Sequence, residues 1–426
     1  MWKKVVAMAM QIGGLPYWEI HFDEKGTLVD DGQLPVELFG HHLADLFIFC
    51  HGWNSSVASA RDLYQAMFTL LSEQIGAATT SRPAGAVGVF WPSLVFPEDD
   101  PTAPPAAAPS GQQPAASLAP VFQPPQQQAL SKIGELLDAE PADSGKLREA
   151  HGLIRSLVTS PDLDASEDTG EQAVLAQPTA AVFGHFAGMS KTHDDAEGLG
   201  DVFKTLWGGA RDVLRTASYY EMKNRAGVIG RSGLGPLVSR LVPAGGAPRV
   251  HLLGHSFGAR LVAFALSGLP SDRRGAASPV KSLTLIQGAF SHFSFAQPMP
   301  IDAARNGALA ANRNGVDGPL LATFSAADRA VGWWYPAASL LSHSDSESAQ
   351  DLTYRWGAMG HDGYQEQDAT EIILQPAGKP YTFDKGHFYR LKSDAVIAAN
   401  QSAFSGAHSD IRHPEILWAV LAAALV

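Results

Sequence analysis

One stretch constrains this chain more than any other: Gly254-His255-Ser256-Phe257-Gly258, the only Gly-x-Ser-x-Gly in its 426 residues. An apolar run with strand character, Val250-His251-Leu252-Leu253, leads into it, and helical spacing from Ala259 to Leu269 follows. A serine at so sharp a strand-to-helix turn is lifted clear of the sheet, and the helix N-terminus behind it favours developing negative charge. Glycine suits both ends of the pentapeptide, because bulkier side chains collide across a tight turn. The plain alternative is a Gly/Ser connector with no chemistry.

Elsewhere short apolar runs alternate with helical spacing. Leu46 to Cys50, Ala86 to Trp91, Leu283 to Ile286, Leu320 to Phe324 and Phe388 to Leu391 read as strands, and Val57 to Ile75 and Pro414 to Leu425 as helices. The alternation predicts an α/β fold, a mostly parallel central sheet with helices on both faces. Near the start, Tyr17 to Phe22, a turn over Asp23 to Gly26 and a return over Thr27 to Val29 read as a hairpin. Residues 101–128 carry no charge and are dominated by Pro, Ala and Gln, a composition expected to stay flexible. Helical spacing returns over Ile133 to Leu137, Leu147 to Val158 and Leu199 to Lys223, and the glycines of 227–235 read as a hinge or loop. The expected organisation is a core built from 1–96 and 246–426, interrupted by an insertion over 97–245.

With 45% hydrophobic and 17% charged residues the chain can bury a sizeable core, which excludes wholesale disorder. Its formal net charge of −12 argues against general nucleic-acid binding and against attachment to anionic lipid through basic charge. The single cysteine, Cys50, excludes an intramolecular disulfide framework and is expected to be a small buried hydrophobe. The apolar run Val5 to Met10 is too brief for a secretory core, and Ile416 to Val426 is too short to span a bilayer. A cytoplasmic protein without a transmembrane segment is therefore expected.

A serine nucleophile needs a base, and the base an orienting acid. In this architecture they follow in the order serine, acid, histidine, at the carboxyl ends of parallel strands. Asp328 follows the run Leu320 to Phe324 and is the expected acid; Asp317 precedes that run and lies at the wrong end. For the base, His408 lies past the last strand and before the last helix, with His413 its nearest rival and a helix-capping residue otherwise. His387 opens a strand, His343 lies in a Ser-rich loop, and His361 sits in a turn. An oxyanion hole would take the backbone N–H groups of Phe257 and Trp53, the latter from His51-Gly52-Trp53-Asn54 after an early strand. Asn54 as a helix cap is the bland use of that loop. His51, Gly52, Trp333, Trp334 and Tyr335 are candidate substrate contacts. The clusters His41-His42 and His193-Asp194-Asp195 lack metal-ligand spacing, and no phosphate-binding glycine motif follows a strand, so no metal and no cofactor is expected.

Taken together, Phe49 to Asn54, the pentapeptide around Ser256, Ala327-Asp328 and Ala407 to Asp410 resemble the α/β-hydrolase superfamily, particularly its bacterial serine esterase and lipase-like members. The resemblance covers about 1–95 and 245–426. It implies an eight-stranded sheet, a triad of Ser256, Asp328 and His408, an insertion serving as a lid, and a small-molecule or lipid-like ester as substrate. Two other functions fit the same features: a non-catalytic binding or scaffold protein, and an amidase or acyltransferase using the same triad.

Overall fold

The computed structural model describes residues 10–29, 42–78, 82–93, 115, 118–119, 122, 124–158, 174–190, 199–242, 246, 248–328, 354–366, 368–399 and 406–426. The chain forms two compact units: one from Met1–Ser93, Arg225–Gly332 and Gly357–Val426, the other from Leu94–Asn224 and Trp333–Trp356.

The first unit is built on one sheet. Its strands are β1 (Met10–Ile12), β2 (Leu15–His21), β3 (Asp45–Cys50), β4 (Ala84–Phe90), β5 (Arg249–His255), β6 (Val280–Ile286), β7 (Leu320–Phe324), β8 (Thr370–Ile373) and β9 (Phe388–Lys392). They lie in the order β1-β2-β4-β3-β5-β6-β7-β9-β8, nine strands rather than eight. Every pairing is parallel except β1 with β2. All six residues of β3 are buried, which is why this strand reads as an unbroken apolar run. Side-chain alternation sends Phe47 and Phe49 to one face, into a core shared with Tyr64, Phe68, Leu417 and Val420. Leu46 and Ile48, on the other face, are equally buried.

The helices of this unit are α1 (Val57–Ala77), α6 (Gly235–Leu241), α7 (Phe257–Ala265), the short α8 (Met359–Asp362) and α9 (Pro414–Ala424). Tyr64 and Phe68 lie on α1, Leu417 and Val420 on α9, so these two helices supply one apolar layer. Helix α7 packs on β3, β5 and β6.

Two local expectations fail. The partner of β2 is upstream: Gly13 and Gly14, both at positive φ, turn the chain between β1 and β2. The turn at Asp23 exists, but its return strand shrinks to a single bridge, Phe22 with Leu28. The glycines of 227–235 are not a loop either. Helix α5 (Leu199–Ile229) runs into a π-helical turn over Gly230–Leu234, then into α6. A Cβ on Gly230 would lie 2.2 Å from the Leu261 carbonyl oxygen, and one on Gly235 would lie 2.2 Å from that of Ala265. These glycines let the helix press its backbone against α7.

The second unit holds α2 (Pro124–Ala139), α3 (Ser144–Leu157), α4 (Thr179–Ser190) and most of α5. Helix α2 takes up the last five residues of the uncharged tract 101–128; most of the rest of that tract lies outside the described residues. Trp207 Nε1 donates to the Pro141 carbonyl at 3.0 Å, and Arg211 Nη2 to that of Leu137 at 2.8 Å, tying α5 to the end of α2 and the turn after it. Among the described residues no helix is long and apolar enough to cross a membrane.

Candidate active site

The parallel register brings strand ends together. Cys50, last in β3, pairs with Gly254 near the end of β5, so the loops after these two strands emerge side by side. After β5 the chain turns at once into α7, and Ser256 takes φ 57 and ψ −122 to do so. That conformation is costly for any residue but glycine and is typical of strained functional positions. The backbone around it is pinned: Ser256 N–H donates to the Ile286 carbonyl at 3.1 Å, and the Ser256 carbonyl accepts from Ala259 and Ala289. A Cβ on Gly258 would lie 2.1 Å from the Cys50 carbonyl oxygen, so only glycine lets α7 start there. The Ser256 hydroxyl makes no capping bond to its own helix.

On the neighbouring loop, a Cβ on Gly52 would lie 2.8 Å from that of Ser256. The backbone carrying Trp53 thus begins directly beside the serine, and the Trp53 ring lies 6.4 Å from that of Phe257. His51 is buried, donates from Nδ1 to the Gly52 carbonyl at 2.9 Å and stacks on Trp91. These contacts hold its ring to its own loop and to Trp91. Asn54 does not cap the next helix; Ser56 does, accepting from Ser59 N–H.

Asp328 follows β7 after a braced turn. Ser325 N–H donates to the Gly360 carbonyl at 3.0 Å, Ser325 Oγ donates to that of Ile397, and Ala326 N–H donates to Asp394. Asp328 then forms a bridge with Gly406, and Ala407 N–H donates to the Ala327 carbonyl at 2.9 Å. This pairing delivers His408 to the acid: its Nδ1 lies 2.8 Å from Asp328 Oδ2. A carboxylate only accepts, so Nδ1 carries the proton shared with Asp328, and Nε2 faces away from that contact. Asp328 is 1% exposed and His408 8%, so their contact is largely shielded from water.

Two groups that sequence reasoning missed complete the arrangement. His255 Nε2 donates to the His408 carbonyl at 2.9 Å, and the two rings lie 4.9 Å apart. Burial lowers the His255 pKa to about 3, so the ring is neutral. Gln287, directly after β6, donates from Nε2 to Asp328 Oδ2 at 2.8 Å. The rule that found Asp328, a polar residue at the carboxyl end of a parallel strand, would have found Gln287 too.

Ser256, Asp328 and His408 all lie in the first unit, and His255 joins the serine's turn to the base's loop. Among the described residues no hydrogen bond joins the Ser256 hydroxyl to the His408 ring. The rival histidines are engaged elsewhere. His413 precedes α9 as its N-cap and holds Asp410 at 2.8 Å. His387 meets Thr370 at the start of β9. His361 and His292 share Asp362, at 2.8 and 3.0 Å. His343, Trp333, Trp334, Tyr335, His41 and 193–195 lie outside the described residues. Among the described residues no three His, Cys, Asp or Glu side chains form a group able to hold a metal ion. Cys50 is buried against its own strand, and burial pushes its thiol pKa up.

The chain matches no protein-family model, no curated protein and no solved structure.

Proposed function

We propose that this protein is a serine hydrolase of α/β-hydrolase type that cleaves carboxylic esters through an acyl-enzyme. The observation that carries the proposal is the 2.8 Å contact of His408 Nδ1 with buried Asp328 Oδ2, on the loop that His255 ties to the strained turn of Ser256. Ser256 Oγ attacks the ester carbonyl carbon while His408 Nε2 takes its proton. Asp328 fixes the ring and stabilises the imidazolium that forms. The N–H groups of Phe257 and Trp53 receive the oxyanion. As the intermediate collapses, His408 returns the proton to the leaving alcohol; it then activates a water that frees the acid and restores Ser256.

A lid role for the second unit rests on topology. The insertion leaves the core after the carboxyl end of β4, the edge of the sheet that also carries Ser256. The substrates proposed are small or lipid-like esters.

The test is a panel of p-nitrophenyl esters of increasing acyl length, run alongside labelling by a fluorophosphonate. Ser256→Ala should lose labelling and at least about a thousandfold in kcat while staying folded. Wild-type protein that neither takes the probe nor turns over any ester would overturn the proposal.

A further inference from the structure

Gln287 stands in the left-handed region, at φ 46, and is fully buried. A long polar side chain at a strained backbone position calls for a reason. Its backbone N–H and both ends of its side-chain amide are paired. The backbone N–H donates to Thr323 Oγ1 at 3.0 Å, which occupies a lone pair of that hydroxyl. The hydroxyl proton then goes to Gln287 Oε1 at 2.9 Å. Both amide protons therefore point the other way, one to Asp328 Oδ2 at 2.8 Å and one to the Gly360 carbonyl at 3.0 Å. A flipped amide would set its oxygen against a carboxylate and a carbonyl, neither of which donates. Asp328 and Gly360 thus fix which end of the amide meets the acid, and Thr323 anchors the other end.

The oxygen that Gln287 grips is the one that accepts from His408 Nδ1. Gly360 adds a wall: a Cβ there would lie 3.1 Å from the same Oδ2. Two donors, one just after β6 and one from the loop before α9, thus converge on one carboxylate oxygen.

We propose that Gln287, locked by Thr323, is a positioning residue that holds Asp328 Oδ2 on His408 Nδ1. The role rests on the serine-hydrolase reading, and it acts through Asp328 without touching substrate. Loss of the grip should cost orientation of the base, and so kcat rather than KM.

The experiment compares wild type, Gln287→Met and Thr323→Val by fluorophosphonate labelling rate, ester kinetics and the low-field proton resonance of an imidazole N–H bound to a carboxylate. Methionine keeps the length and removes both donors; valine keeps the shape of threonine and removes the hydroxyl that anchors the amide oxygen and the backbone N–H of Gln287. For Gln287→Met we expect labelling and kcat down 10- to 100-fold, KM within about threefold, and the resonance shifted or lost. Thr323→Val should lose about 3- to 10-fold, and it carries the test if Gln287→Met fails to fold. Either folded variant with an unshifted resonance and a labelling rate within twofold of wild type would overturn the proposal. The resonance does not depend on turnover, so an unreactive wild type would count against the hydrolase reading while Gln287 was still read by the proton signal.

Discussion

The ring of His255 donates from Nε2 to the backbone carbonyl of His408, 2.9 Å away and 153 residues along the chain. The contact links the residue before Ser256 to the loop that carries His408. It is made by a neutral ring, since burial, with smaller help from the neighbouring His408, lowers the His255 pKa to about 3. A carbonyl only accepts, so the proton must sit on Nε2. His255→Phe keeps a planar ring and deletes the donor. We expect about a tenfold lower rate of fluorophosphonate labelling and faster amide exchange over 406–410, followed by mass spectrometry. Unchanged exchange there would show that the loop does not depend on this tie.

Buried neutral histidines also set the acid limit of the fold. Burial holds His255 at about 3 and His51 at about 4, below the ordinary histidine value near 6.5. Between those values the unfolded chain binds protons that the folded chain does not. Stability should therefore be at full strength above about pH 6.5 and fall as pH drops toward 4 and then 3, each group adding a slope of up to about 1.4 kcal/mol per pH unit. Urea midpoints from pH 7.5 to 4.5 would show this, and a folded His51→Phe variant should flatten the decline. A midpoint that rises on acidification would contradict it.

Strain at Ser256 is separable from its chemistry. At φ 57 a serine pays a steric cost that glycine avoids, about 1–3 kcal/mol, offset in part by the extra freedom of glycine in the unfolded chain. Ser256→Gly should come out about 1 kcal/mol more stable than Ser256→Ala by denaturant titration, with both unreactive to the probe. Equal stabilities would mean that the turn is relaxed.

How far the chain could be read before its structure was known depended on whether a signal was local. The runs Leu46 to Cys50 and Leu320 to Phe324 announce buried parallel strands because both of their faces are covered. Strand β8 does not: Thr370, Glu371 and Ile373 are exposed at the sheet edge, so no apolar run marks it. For β1 a signal was present, since Gly13-Gly14 is a two-residue hairpin turn, but the polar Gln11 made the flanking run look broken. Gly230 and Gly235 mislead because their cause is the backbone of α7, which no reading of their own neighbours reveals. At the site, strand-end logic picked out Asp328 and His408, which the fold sets 2.8 Å apart. The bridge from Asp328 to Gly406, which brings them together, is a tertiary pairing and left no trace in either segment. Gln287 and His255 escaped for the same reason, since their partners are distant in the chain.

Asp45 offers the reverse of the active-site substitutions, a stability change without a chemical one. It opens β3 and is 5% exposed. Arg82 Nε donates to its Oδ2 at 2.7 Å; Arg249 Nε and His251 Nε2 donate to Oδ1 at 2.8 and 3.0 Å. Burial works against its ionisation, but the hydrogen bonds from His251, Arg82 and Arg249 outweigh it and hold the pKa at about 2. The stabilising contribution is therefore present above the ordinary carboxylate value near 3.9 and lost as pH falls toward 2. Asp45→Ala removes the carboxylate shared by His251, whose ring is wholly buried, and two arginines that are only partly so. Removing one partner of a fully buried pair costs about 3–5 kcal/mol; solvent around the arginines reduces this to an expected loss of about 2–3 kcal/mol. Asp45 lies at the amino end of the sheet and Ser256 just beyond its carboxyl end, about 20 Å apart at the rise of a strand. The folded fraction should then label with fluorophosphonate at the wild-type rate. Urea denaturation followed by tryptophan fluorescence reads the first effect and probe kinetics the second; a tenfold slower label on fully folded Asp45→Ala would show that this end of the sheet does reach the serine.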